Sequence, residues 1–177
     1  MKTPDDERRD RELLSRLAAG DTAALAELYD RHVGALLRHA VALTRQTAEA
    51  EDLVHGAIVK LAGVGAPLLG VRHPAGYLHR ILRLTWIDGL RQTVRRGEDP
   101  LVDDIAVTDT VDLGAALDVR CAMERLSAPQ REVVVLHLFT GFTFKEVGHI
   151  VGVPTFTAAS RYRLAVERLR HLLGTAR

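Results

Sequence analysis

The 177 residues specify an all-α protein of two small helical domains joined by a flexible acidic linker. Leu and Ala together supply 49 positions while β-branched alternation is nearly absent, which favours helix over strand. Along most of the chain apolar residues return every three or four positions, the stripe of an amphipathic helix. Charge is segregated as well. Residues 1–96 sum to +3, residues 97–118 hold seven acids and no Lys or Arg, and residues 119–177 sum to +5, within a net charge of only +1. The near-neutral total hides two basic blocks around an acidic one.

A short helix over Glu7 to Ala19 ends at Gly20, a residue suited to the left-handed position after a helix, and Asp21 then caps the next one. Leu25, Leu28, His32, Leu36, Ala40 and Leu43 form one stripe of that second helix, which runs to about Thr44. Thr47 is the expected cap of a third helix, with Glu49, Glu51 and Asp52 near its positive end and Leu53, Val54, Ala57, Ile58 and Leu61 as its buried face. Three glycines and Pro67 make Gly63 to Gly70 a loop. Pro74 opens a fourth helix that reaches about Arg96. From Gly97 to Leu113 the helical period is lost, and the domain boundary falls there: 8–96, a linker at 97–113, and 114–174. In the second domain, Ser127 with Gln130 and Thr143 with Glu146 each fit a capping box, and Phe142 with Val147 adds a hydrophobic staple. Val133 to Phe139, apolar nearly all round, reads as a central buried helix.

Several classes are excluded by what the residues lack. One cysteine, Cys121, cannot form an internal disulfide or a thiolate metal cage, and its setting is that of a small buried hydrophobe. The charged start has no apolar signal core, and no stretch approaches the ~18 uninterrupted apolar residues of a membrane span. A cytoplasmic protein without a membrane segment is expected. The eight histidines show no HExxH and no ligand cluster, and His32 and His39, two turns apart, read as a partly buried polar edge. Without a Gly-rich phosphate loop or a nucleophile motif, the chain is expected to be no enzyme and to need no cofactor or metal.

What remains points to nucleic acid. Phe144 to Val151, Gly152, Val153-Pro154 and a helix from about Thr155 to Leu173 give a helix-turn-helix, with the small Gly148 where the two helices approach closely. Thr157, Ser160, Arg161 and Arg163 come early in the second helix, where a recognition helix meets bases and phosphates. An ordinary helical hairpin with a solvated basic face has the same pattern. The fourth helix interleaves Arg72, Arg80, Arg83, Arg91, Arg95 and Arg96 with His73, Tyr77, His79 and Trp86, and Asp88 is its one acid. That composition suits unpaired nucleic acid, although Trp86 alone reads better as core.

These residues, taken together, resemble an extracytoplasmic-function (ECF) sigma factor, the two-domain class of bacterial transcription initiation factor. The likeness runs from Leu13 to Leu173 in four stretches: Gly20 to His32, Ala50 to Leu61, Gly76 to Arg91, and Gln130 to Pro154 followed by Ser160 to Arg170. The resemblance implies a region 2-like domain that binds the β′ clamp helices of core RNA polymerase and opens the −10 promoter element. It implies a region 4-like domain that reads the −35 element and touches the β-flap. Carried over by position, Asp52, Leu53, Val54, Ile58 and Lys60 fall in the polymerase-contact segment. Arg80, Arg83, Trp86, Asp88 and Arg91 fall in the melting segment, and Thr157, Ser160, Arg161 and Arg163 in the −35 helix. It also implies a monomer when free, promoter DNA as ligand, and an anti-sigma factor as a further partner.

The departures are specific. His55, Gly56 and Ala57 replace the usual continuation of the polymerase-contact string, and Ala62 stands where Trp is common. Leu84 takes the place of an Asn that helps hold a flipped base, and Phe156-Thr157-Ala158-Ala159 replaces Gly-Thr-Val-Lys. Losing that lysine removes a phosphate contact and should lower the salt dependence of binding. Two other readings fit the same residues: a sigma-like interaction module without promoter function, and a dimeric helix-turn-helix regulator.

Overall fold

A computed structural model describes residues 4–96 and 114–174, and every regular element among them is helical. The N-terminal module comprises α1 (Pro4–Ala18), α2 (Thr22–Thr44), α3 (Thr47–Ala62), a 3-10 turn (Ala66–Gly70) and α4 (Pro74–Arg95). The C-terminal module comprises α5 (Gly114–Glu124), α6 (Ala128–Val134) continuing as a π-helical turn (Val135–Phe139), α7 (Phe144–Val151) and α8 (Thr155–Gly174). The expected linker, 97–113, lies outside the described residues.

Leucines hold the N-terminal module. Leu13, Leu14 and Leu17 of α1 meet Leu28, Leu36 and Leu43 of α2, Leu53, Val54 and Leu61 of α3, Leu68 of the turn, and Leu78 and Leu82 of α4. Asp21 caps α2 as expected, its carboxylate accepting from the Ala23 N–H at 3.0 Å. At α3 the expectation fails by one residue: Thr47 is already helical, and Gln46 sits at the cap position without a side-chain bond. The loop at Gly63 to Gly70 contains one tight 3-10 turn, closed around the buried Leu68.

A buried ionic group ties α1 to α2. Asp10 receives Arg31 Nε at 2.8 Å and His32 Nε2 at 2.9 Å, with both Asp10 and His32 almost fully enclosed. Burial alone pushes the Asp10 carboxyl up, but the hydrogen bonds and charges of His32 and Arg31 outweigh it and hold it below the usual carboxylate range.

In the C-terminal module both capping boxes form. Gln130 accepts from the Ser127 N–H at 3.3 Å, and Glu146 accepts from the Thr143 N–H at 2.8 Å while Thr143 Oγ1 accepts from the Glu146 N–H at 3.3 Å. Phe142 and Val147 are both buried in one cluster, as a staple requires. The expected all-buried helix over Val133 to Phe139 is corrected at its end. Val133 to Leu136 are buried, but the chain widens into a π turn, with the Thr140 N–H reaching the Val135 carbonyl at 3.1 Å, and this leaves Leu138 and Phe139 exposed. Cys121 is likewise only half-buried.

The helix-turn-helix depends on two glycines. Gly152 (φ 75°) ends α7 in the left-handed region, and both its N–H and that of Val153 return to the Gly148 carbonyl at 2.9 Å. A Cβ on Gly148 would lie 2.7 Å from the Val153 carbonyl oxygen, a backbone atom that cannot step aside. Gly148→Ala is therefore expected to destabilise the fold by about 1–3 kcal/mol through overpacking, against the gain of up to ~1 kcal/mol that the same change gives in an open helix. Thermal denaturation distinguishes the two signs.

A second expectation concerns Asp10. Its carboxyl titrates below the unfolded value, so the group's stabilisation is complete above about pH 4 and is lost as pH falls through the folded value. Asp10→Asn should cost about 3–5 kcal/mol at neutral pH by removing the buried anion that Arg31 and His32 share. As pH falls from about 4, the unfolded-state value, toward the lower folded value, the gap between wild type and variant in denaturant unfolding should narrow.

Candidate nucleic-acid interface

The turn set by Gly148 and Gly152 projects α8 from the C-terminal module with one face on the core. Ala158 and Ala165 are fully buried, and Tyr162 and Leu169 pack partly against the same clusters. At about 100° per residue, Phe156, Ser160, Arg163 and Glu167 lie on the opposite face. Thr157, Arg161 and Arg168 lie along one flank. Phe156 is 78% exposed, the largest fraction of any large apolar side chain among the described residues. The four residues expected to read DNA therefore separate by direction: Ser160 and Arg163 lie on the face away from the core and Thr157 and Arg161 on the flank, with Arg163 exposed and the other three half-buried. Phe156, noted in the sequence only as a departure, is the most prominent of the outward group.

On α4 the expected melting residues are brought together along one helix, but not free of the other module. Arg80 Nη1 donates to the carbonyl of His149 in the last turn of α7 at 2.9 Å. Arg83 Nε donates to Glu132 Oε1 at 2.8 Å. Trp86 is partly buried and packs against the N-terminal core. Asp88 pairs with Lys60 of α3 at 2.8 Å and lies 3.8 Å from Arg91, whose side chain is largely exposed. Lys60 and the nearby Arg91 hold the Asp88 carboxyl below its ordinary range.

The polymerase-contact set divides in the same manner. Asp52 and Lys60 face solvent, Ile58 is partly buried, and Leu53 and Val54 are core residues. Two of the five are thus buried, because the stripe that α3 turns inward includes them. A cleft of about 1210 Å³ runs between the modules, with Arg72, His73 and Arg80 on one wall and Lys145 and His149 on the other.

The seam between the modules is the feature that sequence reasoning missed. Arg131 and Glu132, adjacent in α6, are both buried and both reach α2. Arg131 Nε donates to the Ala42 carbonyl at 2.7 Å, capping the C-terminal end of α2, and Nη1 reaches the Leu126 carbonyl at 3.3 Å. Burial and the neighbouring Arg45 pull this guanidinium down to about 10, against the opposing pull of Glu124, and it stays charged at neutral pH. Glu132 Oε1 meets His39 Nε2 at 3.2 Å as well as Arg83, and His39 Nδ1 lies 3.0 Å from His79 Nδ1. The proton arrangement that satisfies this chain has His39 donating to Glu132 and accepting from His79. His39 is fully enclosed, which corrects its expected place on a partly buried edge. Two signals were present: charged residues set directly before an apolar run, and a histidine on the buried stripe of α2.

An arginine-rich helix and a helix-turn-helix on a common helical scaffold are the parts expected of a two-module promoter-binding factor. Sequence comparison bears this out, with residues 28–96 matching Sigma-70 region 2 and residues 122–171 matching Sigma-70, region 4. The chain belongs to the ECF RNA polymerase sigma factors. It is 34% identical over 173 residues to the ECF RNA polymerase sigma factor SigM of Mycobacterium tuberculosis (strain H37Rv), covering 95% of this chain and 86% of that one. The ECF RNA polymerase sigma factor SigL of the same species (strain Erdman) is 28% identical over 164 residues, covering 89% and 93%. Among solved structures, CnrH in complex with the cytosolic domain of CnrY has the same fold, at a TM-score of 0.68 and 22% identity over 94% of this chain and 98% of that one. The sigma factor RpoE in complex with the anti-sigma factor NepR, from Bartonella quintana, superposes with a TM-score of 0.60 and 25% identity, covering 85% and 99%. The protein is thus a transcription initiation factor that binds core RNA polymerase and promoter DNA, and the dimeric-regulator reading is set aside. No helix among the described residues is long and apolar enough to cross a membrane.

Proposed function

We propose that the outward face of α8 reads the −35 element and that the arginine face of α4 opens and holds the −10 element. The observation that carries the first half is the make-up of the α8 face. Phe156 and Arg163 are exposed with the half-buried Ser160 between them, and an exposed phenyl ring is costly to leave in water unless something covers it. In a major groove, a ring at the start of a recognition helix suits the methyl group of thymine, while Ser160 and Arg163 supply hydrogen bonds to base edges. Arg161 and Thr157, on the flank, suit phosphates, which fix register without reading sequence. Ala159 removes one such contact, so binding should be less steep in salt than if a lysine stood there.

For the −10 element, Arg80, Arg83 and Arg91 supply cations along α4, Trp86 fixes the helix on its core, and Asp88 with Lys60 locks α4 to α3. Asp52 and Lys60 face outward for the β′ clamp helices, with Leu53, Val54 and Ile58 holding α3 behind them. The C-terminal module meets the β-flap. The factor acts in the cytoplasm by binding and positioning rather than by bond-making, and it is free as a monomer. The similar sigma factor RpoE, solved with the anti-sigma factor NepR, supports such a partner here too.

A second reading has an observation in its favour: Arg80 and Arg83 are both engaged by the other module, as in a protein that binds polymerase without starting transcription. Transcription by purified factor and core polymerase on a library of random promoters separates the two. Enrichment of a two-element promoter is expected, and core binding without any transcript would favour the interaction module. Within the enriched promoter, Phe156→Ala should cost about 1–3 kcal/mol at one base pair and relax selection there. Arg161→Ala should weaken binding to all sequences alike and reduce the salt slope by about 1.

A further inference from the structure

The seam between the modules is chemically odd for a mere resting contact. It buries two opposite charges on consecutive residues of α6, and both partners of Glu132 lie on the other module. One of them, Arg83, belongs to the helix that must reach DNA, and Arg80 beside it is held by the last turn of α7. Ala75, at the start of the same helix, is buried in the core of the C-terminal module together with Val133, Phe142 and Val147. His79 lies edge-on to Phe142, with ring centroids 5.0 Å apart. One whole side of the first half of α4 is therefore covered by the partner module.

We infer that Arg131 and Glu132 form an inter-module latch that closes the free factor, with the Glu132 carboxylate occupying on Arg83 the place of a DNA phosphate. This rests on the reading of α4 as the −10 helix. A carboxylate and a phosphodiester oxygen are equivalent acceptors for a guanidinium, so the two compete for one donor. Arg131 works in the same direction by capping α2, since parting the modules breaks its hydrogen bond to the Ala42 carbonyl at the negative end of that helix. The latch thus makes promoter engagement and the closed form mutually exclusive. The free factor has low affinity for DNA because its melting helix is already satisfied, and polymerase must hold the modules apart before Arg80 and Arg83 become available.

The test uses the full chain without polymerase and reads shape and DNA binding separately. Glu132→Gln keeps the side chain's size and removes the anion. Because this change lies in the C-terminal module, Ala75→Glu provides an independent variant that forces a charge into the seam from α4. In small-angle X-ray scattering both variants should have a larger radius of gyration than wild type while retaining its helical circular dichroism. In fluorescence anisotropy with a mixed-sequence single-stranded oligonucleotide, both should bind about ten- to a hundred-fold more tightly, as loss of a charge-assisted contact implies. Adding Arg83→Ala to Glu132→Gln should remove most of that gain. Two variants as compact as wild type would overturn the latch, as would expansion with no gain in DNA affinity. Failure of the underlying reading of α4 is visible elsewhere: Arg83→Ala in the polymerase-bound factor would then leave opening of the −10 element unchanged.

Discussion

Two charges that cannot be left in a low-dielectric seam govern the arrangement of this protein. Glu132 and Arg131 are almost fully buried, and a buried carboxylate or guanidinium costs several kcal/mol unless donors or acceptors surround it. Those partners are supplied by the other module: Arg83 and His39 for Glu132, and the Ala42 carbonyl for Arg131. The charges therefore fix the relative position of the modules more narrowly than apolar contact could, because each hydrogen bond has a direction as well as a distance. Ala75 and the His79–Phe142 contact then fill the space that the charges frame.

How much of this was legible in the sequence follows the range of each interaction. Local chemistry was readable: the Asp21 cap, the two capping boxes and Gly152 lie within a few residues of the groups they satisfy. The leucine stripes of α1 to α4 were equally plain, since burial of one helix face leaves a period in the sequence. Thr47 was misjudged because a helix boundary one residue away leaves almost the same signal. His39, Glu132 and Arg131 were not legible as a group, since their partners are 40, 93 and 89 residues distant and no periodicity records such pairings.

The candidate site shows the same division. Position in a recognition helix is local, so Thr157, Ser160, Arg161 and Arg163 could be named from spacing. Which of them faces outward depends on where Ala158 and Ala165 find their core, a tertiary fact. That fact makes Phe156 the most exposed large apolar side chain of the helix and moves Arg161 to the flank. On α3, Leu53 and Val54 carry the family's string but pack in the core, and the exposed members of that stretch are Asp52 and Lys60.

The Asp10 group gives α1 a standing that family boundaries do not. The match to region 2 begins at residue 28, yet α1 contributes three fully or nearly buried leucines and the one carboxylate that Arg31 and His32 share. A piece of the chain cut at the start of that match would open the leucine core of the module and take the carboxylate away from both side chains. The residues that match region 2 and the residues that build its core are thus offset here, because the core takes in the first helix as well.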